Sequence, residues 1–242
     1  LDGTIKAVSS EWPRDASGAL LFVEYTEPTM IDVTGLTDST VALQALIQPM
    51  RVATSLEAFG KTRLVVDLPN GADILISDTL TITTPVHIRM NGSRIFCKLA
   101  DMADMLVIHD TAPGTLIEDG TFLYAIPGVQ LVDNPCTAIK VECARVTFRD
   151  VTVDGAGGCF NLDNEEESFN LNGALFDNVY MTHFRRYGMN CDGVDASSHT
   201  LSHCWFFVGQ NHFSDDGVVN NGFGPAVGLI DRTANALVLN GC

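Results

Sequence analysis

The sequence predicts an all-β chain, built as a solenoid of stacked parallel strands with one helix covering its first coil. Three observations predict it. From residue 60 onward, short apolar runs alternate with Gly, Pro, Asn and Asp, and no helical pattern interrupts them. Within that region, four segments share one pattern at a near-constant interval. Ahead of it, residues 38–59 carry apolar side chains at helical spacing.

Residues 1–37 show no clear period and read as an N-terminal arm or linker, with apolar patches around Trp12 and from Ala19 to Tyr25. The helix follows. Asp38 or Ser39 supplies its N-cap. Val41, Leu43, Leu46 and Ile47 form its apolar face, and Pro49 breaks or kinks it, so a second short piece runs to Phe59. The strands then begin, at Leu64–Val66, Ile74–Ile76, Leu80–Ile82 and Val86–Ile88. The repeat appears in Ile117–Phe122, Phe148–Val153, Phe176–Met181 and Leu201–Phe206. Taking Asp119, Asp150, Asn178 and Cys204 as equivalent, the spacings are 31, 28 and 26 residues, the length of a solenoid coil with loops of variable size. Residues 60–242 form the coils, and the strand-like run Ala236–Leu239 predicts that further coils lie beyond them.

Each coil of such a stack buries its inward apolar residues against coils about 4.8 Å above and below. The first coil presents unpaired strand edges, which an amphipathic helix shields. The outward faces are long and polar, a geometry that suits a linear polymer better than a compact metabolite.

The composition sets limits on partners. The chain has 242 residues, 46% of them apolar, with 30 carboxylates against 14 Lys and Arg and a net charge of -16. That balance argues against nucleic acid and anionic membrane as partners, since both require basic surface. No run of about 18 apolar residues is present, so no membrane insertion by a helix is expected. The opening LDGTIKAVSSEW has no basic region followed by an apolar stretch, so no signal peptide is expected, and the chain reads as part of a longer protein. The seven cysteines are odd in number and form no CxxC, which predicts free thiols rather than a disulfide framework. His199 and His203 stand near Cys204 and Cys191. In an extended strand those two histidines are some 13 Å apart, too far to share one zinc ion. No metal or cofactor is expected.

Asp38-Ser39-Thr40-Val41-Ala42-Leu43-Gln44-Ala45-Leu46-Ile47 resembles the N-terminal cap helix of the pectate-lyase-like superfamily, the right-handed parallel β-helices. Val66-Asp67-Leu68-Pro69-Asn70-Gly71 resembles the strand and turn that follow the cap, and Ile74–Ile82 resembles the first coil. These stretches cover about a quarter of the chain. The resemblance implies a right-handed single-stranded parallel β-helix. Within the superfamily, bacteriophage tailspikes and capsule depolymerases open with such a cap, are acidic, form homotrimers and degrade bacterial surface polysaccharide. A chain of that kind is expected in the virion tail, assembled in the host cytoplasm and acting at the bacterial surface. The polygalacturonase group is also similar and implies a secreted alternative.

The polygalacturonase resemblance points to specific carboxylates. Asn190-Cys191-Asp192 matches its Asn-x-Asp motif, and Asp215-Asp216 matches its Asp-Asp motif, about one coil later. Two further motifs depart: Gly222-Phe223-Gly224 carries Phe for His and comes too soon to be one coil later, and no Arg-x-Lys exists, the nearest stretch being Arg232-Thr233-Ala234. Inverting glycoside hydrolysis needs one protonated carboxyl for the leaving oxygen and a second, roughly 6.5–9.5 Å away, to activate water. Crowded carboxylates raise one pKa and so keep an acid protonated near neutral pH. On this reading Asp216 is the acid, and Asp192 and Asp215 activate water. The alternative for the same residues is ordinary turn chemistry between strands.

Substrate-binding candidates accompany them. Glu165 and Glu166 belong to an acidic loop that either lines a polymer groove or is simply solvated. Arg185 and Arg186 would contact an acidic sugar or pair with that loop. Trp205, Tyr187, Tyr180 and Phe207 would stack on sugar rings, the alternative being burial in the core. Asn190 and His212 complete the set. The expected function is cleavage of bacterial surface polysaccharide by hydrolysis or elimination. The alternatives are a non-catalytic polysaccharide-binding or structural β-helix and a monomeric pectinase.

Overall fold

A computed structural model describes residues 30–47, 64–97, 104–124, 136–163, 171–184, 186–191, 198–207, 227–231 and 237–242. Along the chain these form β1 (Thr34–Asp38), α1 (Thr40–Ile47), β2 (Leu64–Asp67), β3 (Asp73–Ile76), β4 (Leu80–Ile82), β5 (Val86–Cys97), β6 (Asp104–Ile108), β7 (Leu116–Tyr124) and β8 (Thr137–Val141). There follow β9 (Thr147–Asp154), β10 (Gly158–Leu162), β11 (Leu175–Asp177), β12 (Tyr180–Thr182), β13 (Tyr187–Cys191), β14 (His199–Ser202), β15 (Trp205–Phe207), β16 (Val227–Asp231) and β17 (Leu237–Asn240). Among the described residues every strand pairing is parallel, and partners lie about one coil apart in sequence. The fold is the parallel β-helix that the repeat predicts, with one helix at its N-terminal end. The predicted second helical piece, residues 48–59, lies outside the described residues, and the final residues of the predicted arm form β1, paired with β3.

The strands lie on three faces. The first carries β2, the leading halves of β5, β7 and β9, and then β11, β14 and β17. The second carries β3, the trailing halves of β5, β7 and β9, and then β12 and β15. The third runs β4, β6, β8, β10, β13, β16. The first two faces meet at a bend where one residue per coil adopts the left-handed conformation. These residues are Asn91, Asp119, Asp150, Asn178 and His203, with φ between 51° and 59°. Asn, Asp and His are the side-chain-bearing residues that enter this region most readily. The repeat is therefore real, but its last member is His203 and not Cys204. Cys204 is the buried residue one step later. A second left-handed column, Gly114, Arg145, Gly173 and Ser198, marks the entrance to the first face.

Because the bends align, inward residues stack on their counterparts. Ile117, Phe148, Phe176 and Leu201 form one such file, all fully buried. The Phe148 and Phe176 rings stack at 5.3 Å, and Phe160 from the third face meets both edge-on at 4.9 and 5.1 Å. These geometries favour the ring quadrupoles and add to the gain from burial.

α1 covers the first coil through polar as well as apolar contacts. Leu43 and Ile47 are buried against the coils. The Gln44 carboxamide donates to the Thr81 carbonyl and accepts from the Thr81 N–H, both at 2.7 Å. Gln44 thus takes the place of a missing neighbour strand at the edge of β4. Asp38 accepts from the Thr40 N–H and hydroxyl and from the Ser77 hydroxyl, tying the helix start to the turn after β3. Ser39 does not cap with its side chain; its hydroxyl accepts from the Asp32 N–H.

Two outcomes follow. Gln44→Leu keeps the size of the side chain but strands both polar groups of Thr81, and should cost about 1–3 kcal/mol in urea unfolding. At Asp38, burial works to raise the carboxyl pKa, but the hydrogen bonds from Ser77 and Thr40 outweigh it and hold it below 3.8. Its contribution is therefore complete above the unfolded-state pKa and is lost as pH falls through the lower folded value. In thermal melts, Asp38→Asn should lower Tm at pH 7, and the gap should close as acidification carries the carboxyl through its lowered folded-state pKa.

Candidate functional site

The outward side of the second face carries an aromatic platform. On β12 and β15, Met181 and Phe206 point toward the core, so by strand alternation Tyr180, Thr182, Trp205 and Phe207 point outward. Tyr180 pairs with Trp205 in register, and Thr182 with Phe207. The Tyr180 and Trp205 rings are parallel within 7°, with centroids 6.2 Å apart. Trp205 is 60% exposed and Phe207 57%, so neither ring is spent on the core.

A polar pair borders the platform. Asp154 ends β9, and His183 follows β12 one coil later. The Asp154 carboxylate accepts from His183 Nδ1 at 2.6 Å and from the Thr182 hydroxyl at 2.9 Å. A carboxylate only accepts, so Nδ1 is the donor in this contact. The His183 ring meets Phe207 edge-on at 5.7 Å. Nearby, Asn178 donates to Asp150 at 2.6 Å, so neighbouring bend residues are also linked. Rings with hydrogen-bonding groups beside them match a pyranose, which has an apolar C–H face and a rim of hydroxyls.

The third face carries a different polar group. Gly158 leaves room for the Tyr187 ring to lie flat, since a Cβ there would stand 2.2 Å from the ring. The Tyr187 hydroxyl thereby reaches Thr137 at 2.9 Å, two coils away, and burial raises its pKa. Arg186 lies 5.3 Å from the Tyr187 ring centroid. Burial also raises the pKa of Asp104, with Lys140 and Arg186 opposing and Glu142 assisting. Lys140 pairs with Glu142 at 3.0 Å. Asn190 donates to Asn161 at 2.9 Å along the same face.

The predicted site residues divide accordingly. Trp205 lies on the platform of the second face, with Tyr180 and Phe207. Arg186, Tyr187 and Asn190 lie together on β13 or just before it, on the third face. Asp192, Asp215, Asp216, Glu165, Glu166, Arg185 and His212 lie outside the described residues. The topology does revise the spacing argument that linked the carboxylates. Asn190 pairs with Ile230, so the coil there is longer than the 23 residues that separate Asp192 from Asp215. Of the residues weighed for zinc, His199 is buried in the core, where Nδ1 accepts from the Ala174 N–H, and His203 sits at the outer bend.

The sequence reading did not single out Asp154 and His183. Their signal was positional: each stands at the end of a second-face strand, one coil apart, which becomes visible only once the coils are in register.

The solved structure of Geobacillus virus E2 ORF18 matches this fold with a TM-score of 0.57 at 16% identity, over 86% of this chain and 46% of that one. The likeness is one of fold, to a phage protein, and this chain spans less than half of that protein's length. No protein-family model matches the chain, and no curated protein matches it by sequence.

If the platform serves a ligand rather than the fold, its removal should be tolerated. Trp205→Ala should change unfolding free energy by less than about 1 kcal/mol, whereas Phe176→Ala in the core should cost about 3–5 kcal/mol. Urea titrations of both variants, followed by circular dichroism, measure the contrast.

Proposed function

We propose that this chain is the β-helical part of a phage tailspike-like protein that binds and cleaves bacterial surface polysaccharide. The observation that carries the reading is the exposed Tyr180–Trp205–Phe207 platform on a straight, periodic face, with Asp154 and His183 at its border. Exposed aromatic clusters on a soluble surface mark binding sites. The phage neighbour agrees with a place in the virion tail, and the resemblance of the cap supports the pectate-lyase-like superfamily. In this reading Asp192, Asp215 and Asp216 supply the acid and the base for glycosidic cleavage. Asn190 and Tyr187 contribute from the third face, and the working unit is a homotrimer.

A second reading, a polysaccharide-binding β-helix without cleavage, rests on the same platform. One experiment separates the two. The protein is incubated with purified bacterial capsules and O-antigens, and released reducing ends, ultraviolet absorbance of unsaturated sugars and bound polymer are all recorded. The depolymerase reading expects release that Asp192→Asn, Asp215→Asn or Asp216→Asn lowers by at least about a hundredfold without loss of binding. Binding with no release supports the second reading. Release that survives all three substitutions overturns the site assignment, and Trp205→Ala with unchanged binding overturns the platform.

A further inference from the structure

The bend between the first two faces recurs at residues 203 and 241. Leu201 pairs with Leu239 and Ser202 with Asn240 in register. The His203 N–H donates to the Asn240 carbonyl at 2.8 Å, which carries the ladder up to the bend. His203 and Gly241 both adopt the left-handed conformation, with φ of 53° and 65°. Gly241 packs beside the His203 ring: a Cβ there would stand 3.2 Å from its Cδ2. The residue after each bend turns inward, and here it is Cys204 on one coil and Cys242 on the next. Val151 and Val179 hold the same place on the two preceding coils, both fully buried. The file thus brings two thiols onto neighbouring coils.

Their positions suit a covalent bond. Coils lie about 4.8 Å apart, so the two Cα atoms fall within the roughly 4.4–6.8 Å that a disulfide spans. Cys242 Sγ lies 3.4 Å from the Leu201 carbonyl oxygen, and Cys204 Sγ 3.6 Å from that of Ser202. The two thiols also hydrogen-bond to each other. Both are free. A disulfide prefers Cβ atoms no more than about 4.5 Å apart, slightly closer than the coil spacing, so the bond would carry some strain and be readily reduced.

We infer that Cys204 and Cys242 form a reversible disulfide between neighbouring coils, a covalent site that braces the bend beside the aromatic platform. Trp205 follows Cys204 directly, so the link ties the start of β15 to the coil that carries β17. The reaction is thiol–disulfide exchange. Oxidised glutathione, or another small disulfide, caps the exposed Cys242 with half of itself and releases one thiol. The Cys204 thiolate then attacks the Cys242 sulfur and expels the other half. The protein gives up two protons and two electrons, and the small disulfide takes them up as two thiols. Burial pushes the Cys204 thiol up to about 11, so the second step is slow near neutral pH. In a reducing compartment the pair stays as thiols, and in an oxidising one it closes. The inference is independent of the polysaccharide reading.

The test keeps the full chain folded. The protein is incubated with oxidised glutathione at about pH 8.5, alkylated, digested without reductant and analysed by mass spectrometry. The expected product joins the peptide bearing Cys204 to the peptide bearing Cys242. Cys191 shares a tryptic peptide with Cys204, so fragment ions locate the bond. The link closes a loop of about 38 residues, so oxidation should raise the urea midpoint by about 1 M, and dithiothreitol should restore the starting value. Cys242→Ser, and Cys204→Val, which continues the valine file, should match the reduced parent by circular dichroism and show no such shift.

Absence of the joined peptides overturns the inference. A bond from Cys204 to Cys191 or to a second chain, or one that forms only in urea, overturns it as well. So does a joined chain whose midpoint stays where it was. Should Cys204→Val fail to fold, Cys242→Ser decides alone: an oxidative shift that survives in that variant overturns the assignment.

Discussion

The structure depends on one constraint: each coil must bend at the same place as the one below it. Parallel strands can share a register over many coils only if the chain leaves each face at a fixed position. The bend between the first two faces meets that need with a single left-handed residue per coil, from Asn91 through His203. The left-handed region costs most side chains of order 1 kcal/mol or more, and Asn and Asp least. The bends are affordable because they are short and because their side chains join, as Asn178 does to Asp150. With the bends aligned, Phe148 falls on Phe176 and Ile117 on Phe148, and the core follows without further instruction.

The same alignment governs the outside. Any outward position becomes a file of side chains about 4.8 Å apart, close enough for like charges to repel strongly. The first face answers this with alternation. Asp67, Arg89, Glu118, Arg149 and Asp177 follow one another in register, with contacts of 3.5 to 3.9 Å. His87 reaches Glu118 at 2.7 Å as a further partner. Half-exposed pairs of this kind contribute little each. Their larger effect is to keep a chain with an excess of carboxylates from stacking them. The second face carries aromatic rings in the corresponding file, and there no structural need for them is evident, since Trp205 and Phe207 leave most of their surface in water.

Much of the fold could be read from the sequence, because a solenoid writes its geometry as a period. Four hexapeptides gave the coil, and the polar third position of each is the observed bend residue. The slip from His203 to Cys204 arose because His is a rarer bend residue than Asn or Asp, so the column looked broken at its last member. The cap was legible as an amphipathic helix, but the role of Gln44 was not. A glutamine that imitates a strand edge looks like any polar helix residue until Thr81 is placed opposite it. The functional surface was legible in part. Trp205, Tyr180 and Phe207 were recognisable as rings that alternation could turn outward. Asp154 and His183 were not, because a carboxylate and an imidazole 29 positions apart have no local signature.

The two outward surfaces also differ in how they can evolve. A residue on the first face sits within a charge file, and changing its sign sets it against neighbours on two coils at once. The rings of the second-face platform carry no charge of that kind: Tyr180 and Trp205 stack across neighbouring coils on strands whose register is set beneath them. One ring can be exchanged there without disturbing the register, because the bend residues and the inward file already fix it. A binding surface built on this face is free to change its preference among sugars while the coils stay as they are. The constraint that makes the fold rigid is thus the one that leaves its recognition surface adjustable.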